Sequence, residues 1–447
     1  MISNWTTYKI EDIAEKISIG PFGSRMKSNA YVKNGVPVIR GTNLTGGKRF
    51  SGDWVFISED LAEQLENCCV SKGDLVFPHR GAIGEVGLVD DIFPKYMMSS
   101  SLMKLRCNPN LADSEFIYYF FKSNQGKHEL LKNASQVGTP GIGQPLSSLK
   151  SIEITLPSLS QQKKIAKILS DLDDKIHLNN QVNQTLESIS QAVFKSWFID
   201  VEPVKAKIQA KEAHKDPELA AMCAITGKSE SEIQQMEKTD FVELQAMAAL
   251  FPDELVNSEL GKIPKGWELC SFDHIVKAKK GKNITKKIAL GGEIPVVAGG
   301  LEPAYFHNIH NVEGPTVTIS ASGANAGYVN IYHENIWASD CSFISKQETP
   351  YLYSVYTFLK IKQQEITNMQ QGAAQPHVYP KDLSRLKFLD IPEDLWFKTE
   401  KILEKLFLKI ALNSKEANVL RAIRDNLLPK LLLGEIDVSG LQGAIDD

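Results

Sequence analysis

A segment in the first half of the sequence is repeated near its end. Residues 165–180 read IAKILSDLDDKIHLNN, and residues 399–414 read TEKILEKLFLKIALNS. The repetition extends into the preceding sequence: residues 37–41, PVIRG, are matched by residues 295–299, PVVAG. The period is far longer than the roughly 20–45 residues of a solenoid repeat. The sequence therefore predicts a duplication of one unit, in which a mixed α/β globular part is followed by a long helix.

Both repeated helices have the heptad pattern of apolar residues that is typical of coiled coils. With Ile165 at the heptad position called a, Leu172 and Leu186 also occupy a, and Asn179 stands between them. Asn413 occupies the matching position of the second helix. A buried asparagine fixes the register of a coiled coil because its amide requires a polar partner. We therefore predict that the two helices pair with each other or with equivalent partners. The alternative is two surface helices whose polar a positions are solvated.

Each helix ends in a cluster of apolar side chains. Such a cluster implies burial, either under the globular part of the chain or beneath another subunit. We interpret the clusters as partner-binding surfaces. They consist of Phe194, Trp197 and Phe198 in the first copy and of Leu428, Leu431 and Leu432 in the second.

Length and composition restrict the class of protein. A chain of 447 residues can form two or three domains, and no apolar run approaches the roughly 18 residues of a membrane span. The start of the sequence lacks the layout of a signal peptide, and the six cysteines lack the spacing of a zinc site. We therefore expect a cytoplasmic protein with reduced thiols and no metal. A net charge of −4 argues against a generally basic nucleic-acid binder but permits local basic patches.

Two segments at equivalent places in the repeat are basic and contain no acidic residue. They run from Ile17 to Gly52 and from His274 to Gly292. Such loops favour contact with phosphate, although a lysine-rich segment is more often only a solvated face. Their duplication favours DNA binding. The predicted DNA-binding residues are Arg25, Lys27, Arg40, Lys48, Arg49, His79 and Arg80 in the first copy, and Lys277, Lys279, Lys280, Lys282, Asn283, Lys286, Ser322 and Asn325 in the second.

The two sets of side chains differ in chemistry. Arg25, Arg40, His79 and Arg80 are able to read the edge of guanine. The second copy offers the smaller polar groups of Asn283, Ser322 and Asn325 instead. If both copies bind DNA, we expect them to read different sequences.

Sequence motifs of known catalysts are missing. Residues 225–229 read ITGKS, like the end of a phosphate-binding loop, but Met222 stands where that loop requires glycine. The sequence has neither a zinc-protease helix motif nor the elbow of a serine nucleophile, and His79, His310 and His377 are isolated. The sequence therefore favours a binding protein over an enzyme.

Four stretches carry a resemblance to a known family: LPSLSQQKKIAKILSDLDDKIHLNNQ, FKSWFIDVEPVKAK, FPDELVNSELGKIPKGWE and LRAIRDNLLPKLLLGEI. In this order they resemble the specificity subunits of type I restriction–modification systems along essentially the whole chain. The resemblance implies an α+β fold with a pseudo-twofold internal repeat, in which two mixed α/β target recognition domains are separated by two long helices forming an antiparallel coiled coil. The implied divisions are 1–157 and 263–392 for the recognition domains, 158–200 and 393–447 for the spacer helices with the C-terminal tail, and 201–262 for a charged helical extension.

The same resemblance implies a non-catalytic role. It implies recognition of a bipartite, asymmetric double-stranded DNA site, and docking of two methyltransferase subunits and of restriction/translocase subunits, with no membrane partner. The assembled complex is expected to be a site-specific deoxyribonuclease and an adenine methyltransferase. S-adenosylmethionine, ATP and Mg are expected on the partner subunits, and no cofactor on this chain.

Two other hypotheses remain. One is a fragment related to single-chain restriction–methylation enzymes, and the lack of an Asn/Asp-Pro-Pro-Tyr tetrapeptide counts against it. The other is a coiled-coil adaptor for protein partners.

Overall fold

The repeat does not coincide with the compact units of the molecule. The computed structural model describes residues 5–21, 25–44, 46–135, 138–259, 261–372 and 376–440. They belong to two compact units, and we call Met1–Asn180 with Lys415–Asp447 unit 1 and Gln181–Ser414 unit 2. Each unit combines one globular part with segments of both long helices. The boundaries therefore fall inside the helices, because each globular part packs on its own helix and on the end of the other.

Unit 1 is built from short strands and few helices. Its strands are β1 (Thr6–Lys9), β2 (Ala14–Ile19), β3 (Val36–Ile39), β4 (Val55–Ile57), β5 (Cys69–Val70), β6 (Leu75–Pro78), β7 (Gly87–Leu88), β8 (Tyr96–Met98), β9 (Leu102–Cys107), β10 (Ala134–Ser135), β11 (Gly141–Ile142) and β12 (Glu153–Leu156). Its helices are α1 (Glu59–Gln64), α2 (Ser114–Lys122), α3 (Asn124–Leu131) and α4 (Pro145–Lys150), followed by the long α5 (Leu159–Phe194), which continues into unit 2.

Two four-stranded sheets form the framework of unit 1, with strand orders β2-β9-β6-β7 and β4-β3-β8-β5. Strands β6 and β8 are buried along their whole length, which explains their continuous apolar sequences LVFP and YMM. Helix α2, capped by the Asp113 carboxylate, packs its aromatic residues into one core with Leu75 and Phe77 of β6. The first and last strands of the globular part, β1 and β12, pair antiparallel directly before α5 begins.

Unit 2 begins with the extension between the copies and continues with the second globular part. The helices of the extension are α6 (Glu202–Glu212), α7 (Pro217–Thr226), α8 (Glu230–Gln234) and α9 (Lys238–Ala248), followed by the hairpin β13 (Leu255–Ser258) and β14 (Gly261–Pro264). The later strands are β15 (Glu268–Ser271), β16 (Lys279–Lys280), β17 (Ile294–Val297), β18 (Tyr305–His307), β19 (Thr316–Ser320), β20 (Val329–Tyr332), β21 (Trp337–Ala338), β22 (Cys341–Ser345) and β23 (Lys387–Asp390). The later helices are α10 (Phe272–Ile275), α11 (Leu352–Ile361), α12 (Gln363–Thr367) and the long α13 (Glu393–Leu432), whose end belongs to unit 1.

The second globular part repeats the architecture of the first. Its sheets have the orders β16-β22-β19-β20 and β18-β17-β21, which correspond to β2-β9-β6-β7 and β4-β3-β8. Strands β15 and β23 pair antiparallel before α13, as β1 and β12 do before α5. The prediction of a duplicated mixed α/β unit followed by a long helix is confirmed.

The apolar ends of the helices lie in the cores of this chain. Phe194, Trp197 and Phe198 are 1%, 3% and 5% exposed and pack against Phe251 and Trp267 of unit 2. Trp197 and Phe198 belong to a π-helical turn, residues 195–199, that ends α5.

At the second apolar end, Leu431 is 1% exposed, and the partly exposed Leu428 and Leu432 pack on the core of unit 1. Much of the apolar area at the two helix ends is therefore buried within this chain, which was one of the two alternatives. Partner binding through these six residues stays a prediction.

The long helices pair antiparallel, as predicted. In unit 1, Arg424 Nη1 donates to Asp173 Oδ1 at 2.5 Å, and Asn179 Nδ2 donates to Glu416 Oε2 at 2.9 Å. Residues later in α5 therefore contact residues earlier in α13, as antiparallel pairing requires. In unit 2, Asn413 Nδ2 donates to the Oδ1 atom of Asn183 at 3.0 Å.

The buried asparagines have the polar partners that their amides require. Asn179 and Asn413 are 3% and 4% exposed. Each is matched by a polar side chain of the opposite helix, Glu416 and Asn183 respectively. A membrane-spanning helix is not found among the described residues, since none of their helices is long and apolar enough.

Candidate nucleic-acid interface

The ends of four strands converge on one edge of unit 1. Strands β2 and β6 both pair antiparallel with β9, so they run in the same direction and end on the same side. Strand β3 is parallel to β8 and ends beside it. Strand β8 leads into residues 99–101, which turn the chain into β9. This arrangement places the loops that follow β2, β3 and β6 around one short turn.

Three backbone hydrogen bonds hold that turn in unit 1. Ser99 N donates to the carbonyl oxygen of Ile39 at 2.9 Å, and His79 N donates to that of Ser101 at 2.8 Å. Gly20 N donates to the carbonyl oxygen of Leu102 at 2.8 Å. We call the described residues of segments 20–35, 40–54, 79–86, 99–101 and 138–142 the loop edge of unit 1.

Unit 2 has the same hydrogen bonds at the equivalent residues. Ser339 N donates to the carbonyl oxygen of Val297 at 2.8 Å, and Ala321 N donates to that of Asp340 at 3.2 Å. Gly281 N donates to the carbonyl oxygen of Cys341 at 2.8 Å. We call the described residues of segments 281–293, 298–304, 321–328, 339–340 and 371–377 the loop edge of unit 2.

A glycine at each edge allows the close approach of two backbone segments. A methyl group on Gly20 would lie 2.0 Å from the carbonyl oxygen of Ser99, and one on Gly281 would lie 2.3 Å from that of Ser339. Any side chain at either position would therefore displace the turn on which the strand ends converge.

A returning backbone segment completes each edge. Gly81 N donates to the carbonyl oxygen of Pro140 at 2.9 Å, and Gly323 N donates to that of Pro376 at 3.0 Å. Both glycines have left-handed backbones, with φ of +81° and +82°. These hydrogen bonds make Arg80 and Ser322 structurally equivalent.

The predicted contacts of the first copy divide into exposed and buried groups. Arg25, Lys27 and Arg80 are exposed. Arg40 is half-buried, and its Nη2 atom donates to the carbonyl oxygen of Asp53 at 2.6 Å. His79 is 7% exposed with Nε2 3.1 Å from the carbonyl oxygen of Ser100, and burial lowers its pKa below the usual 6.5. It is therefore a neutral group that supports the turn.

Two predicted basic contacts of the first copy are turned toward helices instead. The Lys48 ammonium is 2.9 Å from a carboxylate oxygen of Glu115 and also donates to the Ser170 hydroxyl. Arg49 lies 3.7 Å from a carboxylate oxygen of Asp174. Lys48 is only 17% exposed, so its charge serves to fix the loop after β3 on α2 and α5. The basic segment itself contains no acidic residue. It therefore gave no indication of Glu115 and Asp174, which belong to α2 and α5.

In the second copy, the exposed residues that follow β16 lie at the loop edge. Lys282 N donates to the carbonyl oxygen of Ala338 at 2.9 Å, which brings the start of the basic segment to the turn. Lys282, Asn283 and Lys286 are exposed. Asn325 is half-buried, and its carbonyl oxygen accepts from Tyr328 N at 2.9 Å.

The lysines before Gly281 lie outside the loop edge. Lys279 and Lys280 form β16, which pairs with β22, and Lys277 precedes that strand. Lys279 forms an ion pair of 2.7 Å with Glu348. All three are exposed, but they do not belong to the loops that surround the turn.

Beside the predicted Ser322, several polar side chains near the second edge were not foreseen. The Ser322 hydroxyl donates to one of them, the Asp340 carboxylate. His377 stacks on Tyr379, and the Lys381 ammonium lies 5.7 Å from the centre of the Tyr379 ring. These residues carry no motif. They meet only because the strand ends converge, so a single sequence offers no signal for them.

Comparison with known proteins identifies a family that this chain matches. The model of the "Type I restriction modification DNA specificity domain" matches residues 2–188 and 264–422. The HindI specificity subunit of Haemophilus influenzae is 30% identical over 97% of this chain and 100% of its own length. The MjaIX specificity subunit of Methanocaldococcus jannaschii is 26% identical, over 98% and 95% respectively.

A solved structure has the same fold. The crystal structure of the type I restriction–modification S subunit of M. genitalium matches with a TM-score of 0.54 at 20% identity, covering 96% of each chain. The chain belongs to the family of type I restriction–modification specificity subunits, as the resemblance of its motifs implied.

Proposed function

We propose that this chain recognises a bipartite, asymmetric double-stranded DNA sequence on behalf of a type I restriction–modification complex. Each unit reads one half of the sequence through its loop edge. The observation that carries the proposal is the pair of edges, which share one hydrogen-bonded backbone and present different side chains. A duplicated protein that preserves a scaffold and varies the groups upon it suits two different half-sites.

The chemistry of the edges suits DNA. Arg80 is exposed, and within the described part of unit 1 no hydrogen bond or ion pair to its guanidinium is found. A free guanidinium on a rigid turn can donate two hydrogen bonds to guanine in the major groove. Lys282 and Lys286 are exposed and able to neutralise phosphates. Rigid backbone supports are what base reading requires, because a displacement of about 1 Å breaks a bidentate hydrogen bond.

The proposal places the catalytic chemistry on other subunits. In the described residues, groups of three or more His, Cys, Asp or Glu side chains that could hold a metal are not found. We propose two methyltransferase subunits and restriction/translocase subunits as partners, in the cytoplasm, with S-adenosylmethionine, ATP and Mg bound by those partners. A net charge of −4 suggests that the chain alone binds DNA weakly and acquires firm sequence preference in the complex.

The test is a selection of duplexes from a randomised pool by the chain assembled with its methyltransferase subunits, at a fixed salt concentration. We expect a recovered sequence with two specified halves and an unspecified gap. The chain alone, titrated with the recovered duplex under the same conditions, should bind at least tenfold more weakly. Recovery of unrelated sequences by the complex would contradict recognition. Equal affinities with and without the partners would contradict the role proposed for them.

A further inference from the structure

At neighbouring positions of the shared scaffold, the two loop edges carry side chains of opposite hydrogen-bonding character. Because His79 and Ala321 donate to the equivalent carbonyl oxygens, Asp340 stands where unit 1 has Ser101, beside Arg80. Unit 1 therefore presents a guanidinium, which only donates, and unit 2 presents a carboxylate, which only accepts.

The carboxylate of Asp340 is partly exposed and only partly used. One oxygen, Oδ2, accepts from the Ser322 hydroxyl. For its other oxygen, the described residues supply no hydrogen bond, and they supply no ion pair to the group. Asp340 thus offers a positioned acceptor at the edge.

A structural aspartate in the same unit is held differently. Asp382 is 1% exposed, and both of its oxygens accept, from Gln371 Nε2 at 3.0 Å and from Tyr379 N at 2.9 Å. Its carboxylate is saturated by the fold. Among the described residues, only one oxygen of Asp340 accepts a side-chain hydrogen bond. The needs of the fold therefore do not account for an aspartate at this position.

DNA offers such a carboxylate one kind of partner. Phosphates repel it, and the acceptor edges of guanine and thymine repel it as well. The exocyclic amino groups, N4 of cytosine and N6 of adenine, project donors into the major groove, and aspartate is a known acceptor for cytosine N4. The Ser322 hydroxyl fixes the direction of the carboxylate by occupying its second oxygen.

We propose that Asp340 is a specificity-determining residue that accepts a hydrogen bond from the amino group of a cytosine or adenine in the half-site read by unit 2. In unit 1, Arg80, which is equivalent to the hydrogen-bonding partner of Asp340, Ser322, donates to a guanine. The inference rests on the proposed function, and it assigns the chemical difference between the half-sites to two neighbouring positions of the shared scaffold.

The experiment compares the assembled complex of the wild-type chain with Asp340→Ala and Asp340→Asn complexes in the same randomised selection. Glu334→Gln is the matched control, because Glu334 is an exposed acid of unit 2 between β20 and β21, outside the loop edge. Thermal unfolding of each chain verifies that the substitutions leave unit 2 folded. Asp340→Asn replaces one carboxylate oxygen by an amide nitrogen and keeps the size of the side chain.

We expect Asp340→Ala to lose about 5- to 150-fold of its preference for cytosine or adenine at one position of one half-site, while the other half-site is unchanged. The base is then decided by Asp340→Asn. Asparagine pairs with adenine, so a cytosine preference should change to adenine, whereas an adenine preference should survive. Glu334→Gln should keep every preference.

The inference is overturned if the Asp340 variants bind all sequences with unchanged relative preferences. A uniform gain in affinity would show that Asp340 only repels phosphate. A wild-type complex without a two-part sequence would instead contradict the proposed function itself, so the two failures are distinguishable.

Discussion

Units 1 and 2 agree at their loop edges and differ where the long helices are held. In unit 1, the Asp173 carboxylate on α5 accepts from the Tyr119 hydroxyl at 2.9 Å and from Arg424 of α13 at 2.5 Å. Unit 2 has no counterpart of that ion pair among its described residues. There the Glu400 carboxylate on α13 accepts from Tyr353 N at 2.9 Å and from Ser354 N at 2.8 Å, and so caps α11.

This comparison shows which features the two copies have in common and which have diverged. Holding a helix against a globular part requires only that buried polar groups be paired, and many pairings satisfy that requirement. At the loop edges, four backbone hydrogen bonds recur at equivalent residues of the two units, although the turn has three residues in unit 1 and two in unit 2. The backbone at the edges is thus a shared scaffold, and the side chains on it are free to differ.

The largest expected effect concerns the apolar helix ends. Trp197→Ala in unit 2 and Leu431→Ala in unit 1 should lower the free energy of unfolding by about 3–5 and about 2–5 kcal/mol, because each removes a buried side chain. Chemical denaturation of the free chain measures the loss. As the matched control, Leu412→Ala removes a leucine of α13 that is 63% exposed, and it should cost much less. Full stability of the Trp197→Ala chain, with loss of assembly only, would instead favour a partner-binding role for this helix end.

The shared backbone can be tested at its glycines. Gly20→Ala and Gly281→Ala should each cost about 1–3 kcal/mol, because the new methyl group collides with a carbonyl oxygen of the turn. Hydrogen exchange should increase only in the unit that carries the substitution. Gly47→Ala, where a methyl group meets nothing within 4 Å, is the control and should change little. Equal loosening of both units by one substitution would contradict their independence.

Acid should weaken unit 2 through a buried imidazole. Burial lowers the pKa of His333 from 6.5 to about 4, and its Nε2 atom has no partner among the described residues. The folded state therefore favours neutral His333. The stability from this group is complete above pH 6.5 and is lost as the pH falls toward about 4.

His333→Phe should remove this part of the pH dependence, on the order of 2 kcal/mol, since phenylalanine does not titrate. Urea denaturation of both chains at pH 7 and pH 5 measures the change. His310→Gln, at an exposed histidine, should leave the dependence as it is. Parallel pH curves for wild type and His333→Phe would show that other groups cause the loss.

The smallest effect concerns single phosphate contacts. Lys286→Ala should weaken binding similarly for all sequences and reduce the slope of log affinity against log salt by about 0.9. Salt titration of the assembled complex measures it, and Lys228→Ala in the extension is the control. A change in the preferred bases would instead make Lys286 a base-reading residue.

The architecture could be predicted from the sequence because periodic and repeated patterns of residues encode it. Heptads, the Pro-Val strands and the repeat each report on local structure, and these predictions are confirmed. The sequence could not show which loops meet, since that depends on long-range strand pairing. Charge placement therefore grouped Lys48 with Arg80, although Lys48 is paired with Glu115 at a helix. It also missed Asp340, which lies outside the basic segment and reaches the edge only through β21 and β22.

The central claim, that each unit reads its own half of the DNA sequence, is tested most directly by charge reversal at one edge at a time. One complex carries Arg25→Glu and Arg80→Glu in unit 1, and the other carries Lys282→Glu and Lys286→Glu in unit 2. Both are used in the randomised selection beside the wild type. We predict that each loses preference in one half-site only, and that the affected halves differ between the two complexes. Loss of preference in the same half, or in both halves, after either pair of substitutions would contradict independent reading.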